Sequence, residues 1–175
     1  QPEVAIPAPM HIGVTEAGTV ERGRIKSAVG IGALPFCGIG DTLRVSLTGD
    51  PVREVLTAKE ILRAVGMRQG GIDLISCPTC GRTQVDLDAI TAHVEEALRP
   101  VERYMEQKQL PQLTVAVMGC AVNGPGEAKE ADLGVACGKG KGVLIEKGQV
   151  VDTVPEEQIC ARLVATIKEK IGMER

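Results

Sequence analysis

The sequence predicts an α/β chain in two segments, and three observations carry that expectation. Residues 10–68 alternate strand and helix patterns, the order of a parallel sheet covered by helices. A glycine pair, Gly70 and Gly71, then interrupts the pattern and places a boundary between segments 1–69 and 70–175. Beyond it come a strand, a long helix, further strands and a closing helix, the order of a small α+β unit.

Each element has a local reason. Residues 1–9 hold three prolines and read as an irregular lead-in. "MHIGVTEAG" is a short strand that ends at Gly18. "GRIKSAVGIGALP" is a weak helix with Ile25, Ala28, Val29 and Gly32 on one face. "DTLRVSLTGD" alternates with period two, Leu43, Val45 and Leu47 on one side and Arg44, Ser46 and Thr48 on the other. "TAKE" at 57–60 reads as a capping box before a helix through Ile61, Leu62 and Val65.

In the second segment, "IDLIS" is a strand running into a Cys-x-x-Cys turn. Asp86 or Asp88 can cap a helix whose inward face is Leu87, Ile90, Val94, Ala97, Leu98 and Val101, and Pro100 is expected to kink or divide it. "LTVAVM" is a strand that delivers Cys120, and "ADLGVAC" is another. "GVLIEKGQVVDTV" reads as a hairpin around Lys147-Gly148. Pro155, Glu156 and Glu157 open a last helix with Ile159, Leu163, Ile167 and Ile171 inward.

Composition narrows the function. Apolar residues make up 43% of the 175, but there is one Phe, one Tyr and no Trp, so the core is aliphatic. That scarcity removes the stacking platforms of single-stranded nucleic-acid binders. A net charge of −3 advertises no basic face for nucleic acid. No apolar run reaches the about 18 residues of a membrane span. Six cysteines in clusters point to metal or redox chemistry in a reducing compartment rather than a secreted disulfide framework.

Cys77 and Cys80 directly follow one strand, and Cys120 follows another. If those strands are neighbours, all three thiols emerge at the same sheet edge. Thiolates ligate soft metals. Pro78 and the glycines at 81, 119, 124 and 126 let amides turn toward the sulfurs. The fourth ligand is open at this stage. Glu127 lies on the turn after Cys120, and as a harder, weaker ligand it would mark an exchangeable iron; Cys137 is the rival, though it reads better as a small core residue. A structural zinc half-site, or simply buried cysteines, is the bland alternative. Cys37 and Cys160 read as buried hydrophobes.

"ISCPTCGR", "VAVMGCAVNGPGEAKEADLGVA" and "GVTEAG…IKSAVGIGALP…GIGDTLRVSLTGDP" resemble the 4-hydroxy-3-methylbut-2-en-1-yl diphosphate synthase family, from about residue 10 to the end. The resemblance implies a 4Fe-4S cluster held by Cys77, Cys80, Cys120 and Glu127. It implies reductive opening of 2-C-methyl-D-erythritol 2,4-cyclodiphosphate, with ferredoxin or flavodoxin as electron donor. A TIM barrel, a head-to-tail homodimer and a bacterial cytoplasmic setting are further implications. A barrel needs roughly 250 residues, so residues 10–68 would supply only its last two strand–helix units. Most of the diphosphate-binding side chains would then lie elsewhere.

By the same resemblance, Arg44 and Ser46 contact the diphosphate, Glu16 sits by the reacting hydroxyl, and Asn123 orients substrate near the cluster. Without it, Glu16 is a strand-end surface acid, Arg44 lies on a solvated sheet face, and Asn123 serves an Asn-Gly turn. An electron carrier with a fully protein-ligated cluster and a zinc-stabilised binding module are the competing functions.

Overall fold

The computed structural model describes residues 8–173. They form two compact units that divide between Gln69 and Gly70. No helix among the described residues is long and apolar enough to cross a membrane.

The first unit holds β1 (His11–Gly13), α1 (Val20–Phe36), β2 (Thr42–Arg44) and α2 (Pro51–Ala64). β1 and β2 pair in parallel, with Gly13 opposite Arg44. Both strands are three residues long, shorter than their sequence patterns suggest. The period-two burial continues past β2 all the same: Val45 is buried while Arg44 and Thr48 are exposed.

Two expectations fail here for physical reasons. Ile25 and Val29 of α1 face solvent at 69% and 70% exposure, and the buried face is Gly23, Ser27, Ile31, Gly32 and Pro35. At Gly23 a neighbouring element approaches closely: a Cβ there would lie 2.5 Å from Leu47 Cδ2 and 3.3 Å from the Gly18 carbonyl oxygen, while one on Gly32 would make only ordinary contact with Ile61 Cγ2 at 3.5 Å. The helix α2 does not start at "TAKE". Asp50 is its N-cap, with Oδ1 accepting from the Val52 N–H at 2.9 Å and Pro51 in the first turn. An acid acceptor followed by a residue with fixed φ is the stronger start signal, and Thr57 is buried inside the helix.

The second unit is a five-stranded mixed sheet in the order β3-β4-β5-β6-β7. Its strands are β3 (Ile72–Ser76), β4 (Leu113–Met118), β5 (Leu133–Gly138), β6 (Lys141–Glu146) and β7 (Gln149–Pro155). The first three are mutually parallel and the last three antiparallel. Lys147 and Gly148, both with positive φ, make the two-residue turn between β6 and β7, the geometry that suits twisted strands.

Helices α3 (Leu87–Lys108) and α5 (Ile159–Lys170) supply Leu87, Val94, Leu98, Val101, Met105, Ile159, Leu163 and Ile167 to the main core. Asp86 caps α3 by accepting the Ala89 N–H at 3.1 Å. Pro100 does not divide α3, which runs unbroken through it with the proline on its exposed face. The sheet's other face carries a smaller core of Ala116, Met118, Ala128, Ala131, Ala136 and Ile145. A one-turn helix, α4 (Gly124–Glu127), lies on that face.

Leu98 is 2% exposed, whereas Val150 on β7 is 63% exposed. Leu98→Ala is expected to cost about 3 kcal/mol of stability by cavity formation. Val150→Thr is expected to stay within about 0.5 kcal/mol of the parent. Urea unfolding followed by circular dichroism checks both.

Candidate metal centre

Parallel pairing sets Ser76 of β3 opposite Val117 of β4. Cys77 is the first residue past β3 and Cys120 the second past β4, so both leave adjacent strands at the same end. Ile72, Ile75, Val115 and Val117 favour the extended backbone that carries them there.

Backbone donors are aimed at both sulfurs. The Gly119 N–H donates to Cys77 Sγ at 3.3 Å, and the Asn123 N–H donates to Cys120 Sγ at 3.4 Å. The amides of Asn123, Gly124 and Val122 pull the Cys120 thiol below its ordinary value, against the opposing effects of burial and the Glu127 carboxylate. Hydrogen bonds to the charged form favour the thiolate, the form that ligates metals.

The turn that carries Glu127 is seated by small residues. A Cβ on Gly124 would fall 2.9 Å from Ala136 Cβ and 3.0 Å from Met118 Cβ. One on Gly134 would fall 2.8 Å from Ala128 Cβ. Side chains at those positions would lift the turn from the sheet. Glu127 stays exposed, and its neighbour Ala128 is buried. Asn123 is exposed too; its side chain makes no capping bond to α4, and it contributes through its backbone N–H on Cys120 Sγ and its carbonyl, which accepts the Glu127 N–H at 3.0 Å.

Cys80 is exposed in the turn beyond Cys77. Between them Thr79 has a φ of 54°, a left-handed conformation that costs a β-branched residue energy. Sequence reasoning missed Thr83, whose Oγ1 accepts the Cys80 N–H at 3.1 Å. The available signal was a hydroxyl residue three positions after the turn, where it can reach back to a free amide. Among the described residues no three His, Cys, Asp or Glu side chains are grouped to hold a single metal ion, so Cys77, Cys80, Cys120 and Glu127 are not gathered into one chelate.

The other cysteines are placed differently. Cys137 is fully buried in the main core, and burial pushes its thiol up to about 11, with Glu156 and Cys77 adding to the rise. Cys160 is half-buried and its thiol donates to the His93 carbonyl at 3.7 Å. Cys37 is exposed just after α1, contrary to the expectation of a buried residue; the helix ends there and no core element covers it.

In the first unit, Glu16 follows β1 with a φ of 56°, and Arg44 ends β2. Both are exposed, while Ser46 is half-buried. The loops that carry them are tied together by the Thr48 N–H donating to the Gly18 carbonyl at 3.0 Å. Glu54 of α2 accepts the Leu47 N–H at 2.8 Å and holds the end of the second loop. Glu16 and Ser46 thus lie past the carboxyl ends of adjacent parallel strands, where ligand sites form in parallel α/β folds. An open groove between α1 and α2, lined by Ile25, Ala28, Thr57 and Ile61 among others, includes none of these residues.

Fold and site together define an α/β protein with a thiol-based centre at the end of a parallel strand pair. A family model described as GcpE protein C-terminal domain matches residues 73–169, and one described as GcpE TIM-barrel domain matches residues 3–59. The chain belongs to the GcpE family. It is 53% identical over 162 residues to a 4-hydroxy-3-methylbut-2-en-1-yl diphosphate synthase (flavodoxin) of Dehalococcoides mccartyi, covering 93% of this chain and 44% of the relative. Similar matches are the enzymes of that name from Geobacter sulfurreducens, 54% identical over 95% of this chain and 45% of the relative, and Clostridium perfringens, 54% over 91% and 44%. The chain therefore spans under half the length of these curated relatives.

The thiols are expected to separate by alkylation of the metal-free chain. Cys120, 7% exposed but with its thiolate favoured by backbone donors, should react with iodoacetamide at a lower pH than Cys137 does. Cys137, at about 11, holds only about one part in a thousand as thiolate at pH 8 and should stay unlabelled in the folded chain. Peptide mass spectrometry across a pH series reads both; equal labelling of the two would contradict the geometry.

Proposed function

We propose that this chain contributes the carboxy-terminal part of an iron–sulfur oxidoreductase. Its reaction is the reductive opening of 2-C-methyl-D-erythritol 2,4-cyclodiphosphate to 4-hydroxy-3-methylbut-2-enyl diphosphate. Two electrons enter, and the departing oxygen leaves as water. In this reading residues 1–69 are the last two strand–helix units of a TIM barrel, and residues 70–175 are the cluster domain. The observation that carries it is the β3–β4 pair, which delivers Cys77 and Cys120 at one edge with an amide donor on each sulfur. The names of the relatives support the product and flavodoxin as donor; the cyclodiphosphate substrate is what the family resemblance implies, and ferredoxin is the chemical equivalent of flavodoxin.

The donor set fits a 4Fe-4S cluster. Cys77, Cys80 and Cys120 are soft thiol donors on two neighbouring loops, and N–H···S bonds of this kind tune cluster potentials. Glu127 is the fourth ligand of the reading. It is exposed on the turn that follows Cys120, whereas Cys137 is sealed in the core. When bound, the cluster supplies the electrons and a Lewis-acidic iron.

Four residues of this chain take part in the rest. The Arg44 guanidinium, with a planar fork of donors, binds diphosphate oxygens, and the Ser46 hydroxyl adds a donor beside it. Glu16 delivers a proton to the leaving oxygen. Asn123 orients the substrate hydroxyl. A head-to-tail homodimer completes the site, and the bacterial cytoplasm supplies the reducing setting that free thiols require.

Reconstitution without oxygen tests the reading. Iron and sulfide should bind in equal amounts, and a reduced sample should give the electron paramagnetic resonance of a cluster. Cys120→Ala should abolish it. Glu127→Ala should keep three thiolates and most of the iron, while changing the signal and speeding its loss in air. Zinc as the sole bound metal would overturn the reading. So would a cluster abolished by Cys137→Ala and untouched by Glu127→Ala, the pattern of an electron carrier. Turnover belongs to the full-length enzyme, where Arg44→Ala should lower kcat/KM by roughly tenfold or more through a lost charge-assisted contact.

A further inference from the structure

We propose that Thr83 and Gly119 form a clasp between the two cysteine loops, so that they are positioning residues for the metal centre. The proposal rests on the cluster reading above. Neither residue carries a group that would ligate metal.

The clasp has two halves. On one loop, Cys80 and Thr83 are joined reciprocally: the Thr83 N–H donates to the Cys80 carbonyl at 3.0 Å, and the Cys80 N–H donates to Thr83 Oγ1 at 3.1 Å. With its hydroxyl fixed, the Thr83 methyl points at the second loop. A Cβ on Gly119 would lie 2.9 Å from Thr83 Cγ2, 3.2 Å from Thr83 Oγ1 and 3.1 Å from Leu87 Cδ2. Gly119 is not among the residues of positive φ. Space, rather than backbone conformation, therefore demands a glycine there.

Gly119 also works through its backbone. Its N–H is the donor to Cys77 Sγ, and its carbonyl accepts the Gln84 N–H at 3.4 Å. It directly precedes Cys120 in the chain. One residue without a side chain thus touches the sulfur of Cys77, the turn that holds Cys80, and the peptide that enters Cys120. Displacing Thr83 moves the Cys80 amide and the donor on Cys77 together. The left-handed Thr79 sits inside the same loop, and a strained residue persists only where its surroundings over-determine it. The Thr83 bonds are a restraint on that loop's far side.

A mere packing role for Thr83 and Gly119 would lower the stability of the fold and leave the centre's spectrum unchanged. A positioning role changes the spectrum and the hold on iron. The test uses the 175-residue chain reconstituted with iron and sulfide without oxygen. Thr83→Val keeps the shape and removes the acceptor, Thr83→Ser keeps the acceptor and removes the methyl, and Gly119→Ala inserts the crowding methyl. Thr83→Val and Gly119→Ala are expected to lose iron to a chelator about fivefold faster than the parent, the scale of one hydrogen bond. Each should also shift the resonance of the reduced centre. Thr83→Ser, which keeps the acceptor but loses the methyl that faces Gly119, should fall between the parent and Thr83→Val in both readouts. Gly119→Ala in the Thr83→Ser background should release iron more slowly than Gly119→Ala alone, because the 2.9 Å clash with Cγ2 is gone.

Thermal melting of the metal-free variants separates the two roles. A lowered melting point with parental iron release and spectrum overturns the clasp, and so does Thr83→Ser behaving like Thr83→Val. A shifted spectrum with an unchanged melting point supports it. The cluster reading fails separately: in that case the parent takes up no iron and sulfide, or Cys77→Ala takes up as much as the parent, and the clasp's role at a metal falls with it.

Discussion

Everything at the thiol centre depends on the parallel pairing of β3 with β4. Parallel strands start together and end together, so the residues that follow them emerge on one edge of the sheet. The pairing of Ser76 with Val117 makes the chain leave both strands at the same level. A slip of one residue would reverse the face of every side chain on the strand. It would take Val115 and Val117 out of the main core, and that cost holds the register. Burial of aliphatic side chains under α3 and α5 thereby fixes the position of two thiols that are not themselves responsible for the fold.

Once the strands are set, close backbone approach decides where the loops lie. Gly124, Ala128, Gly134 and Ala136 bring the Cys120–Glu127 turn down onto the sheet, and Gly119 admits Thr83 and Leu87. The same economy of side chains governs α1, whose glycine face turns inward while Ile25 and Val29 stay in water. The consequence for the site is rigidity at the backbone, where amides meet sulfur, and exposure at the side chains of Cys80 and Glu127.

Cysteine placement follows a simple division. Those past strand ends, Cys77 and Cys120, receive amide donors; the one inside a strand, Cys137, is driven toward the neutral thiol by burial, with Glu156 and Cys77 adding to the effect. Polar backbone groups are free at strand ends and committed to the ladder within strands. Thiolate chemistry is therefore available at the loops and suppressed in the core.

Much of this was legible in the amino-acid order. Strand β3, the Lys147-Gly148 turn and the inward face of α5 follow from local pattern, because each is set by neighbours within one or two turns of chain, and the cap of α3 was narrowed to Asp86 or Asp88. The three thiols after strands and the acid on the following turn were visible for the same reason, as was the family they resemble. Less could be read where distant segments compete. Periodicity put Ile25, Ala28, Val29 and Gly32 on one face, yet of these only Gly32 is buried, and the close approach of Leu47 sets Gly23 on the buried face. The start of α2 at Asp50 rather than Thr57 was a contest between two adequate local signals. Which strands are neighbours, which cysteine is sealed and which amide points at which sulfur belong to the tertiary structure alone. These depend on long-range pairing and packing, in which residues far apart in sequence share one surface, and no window along the chain contains that information.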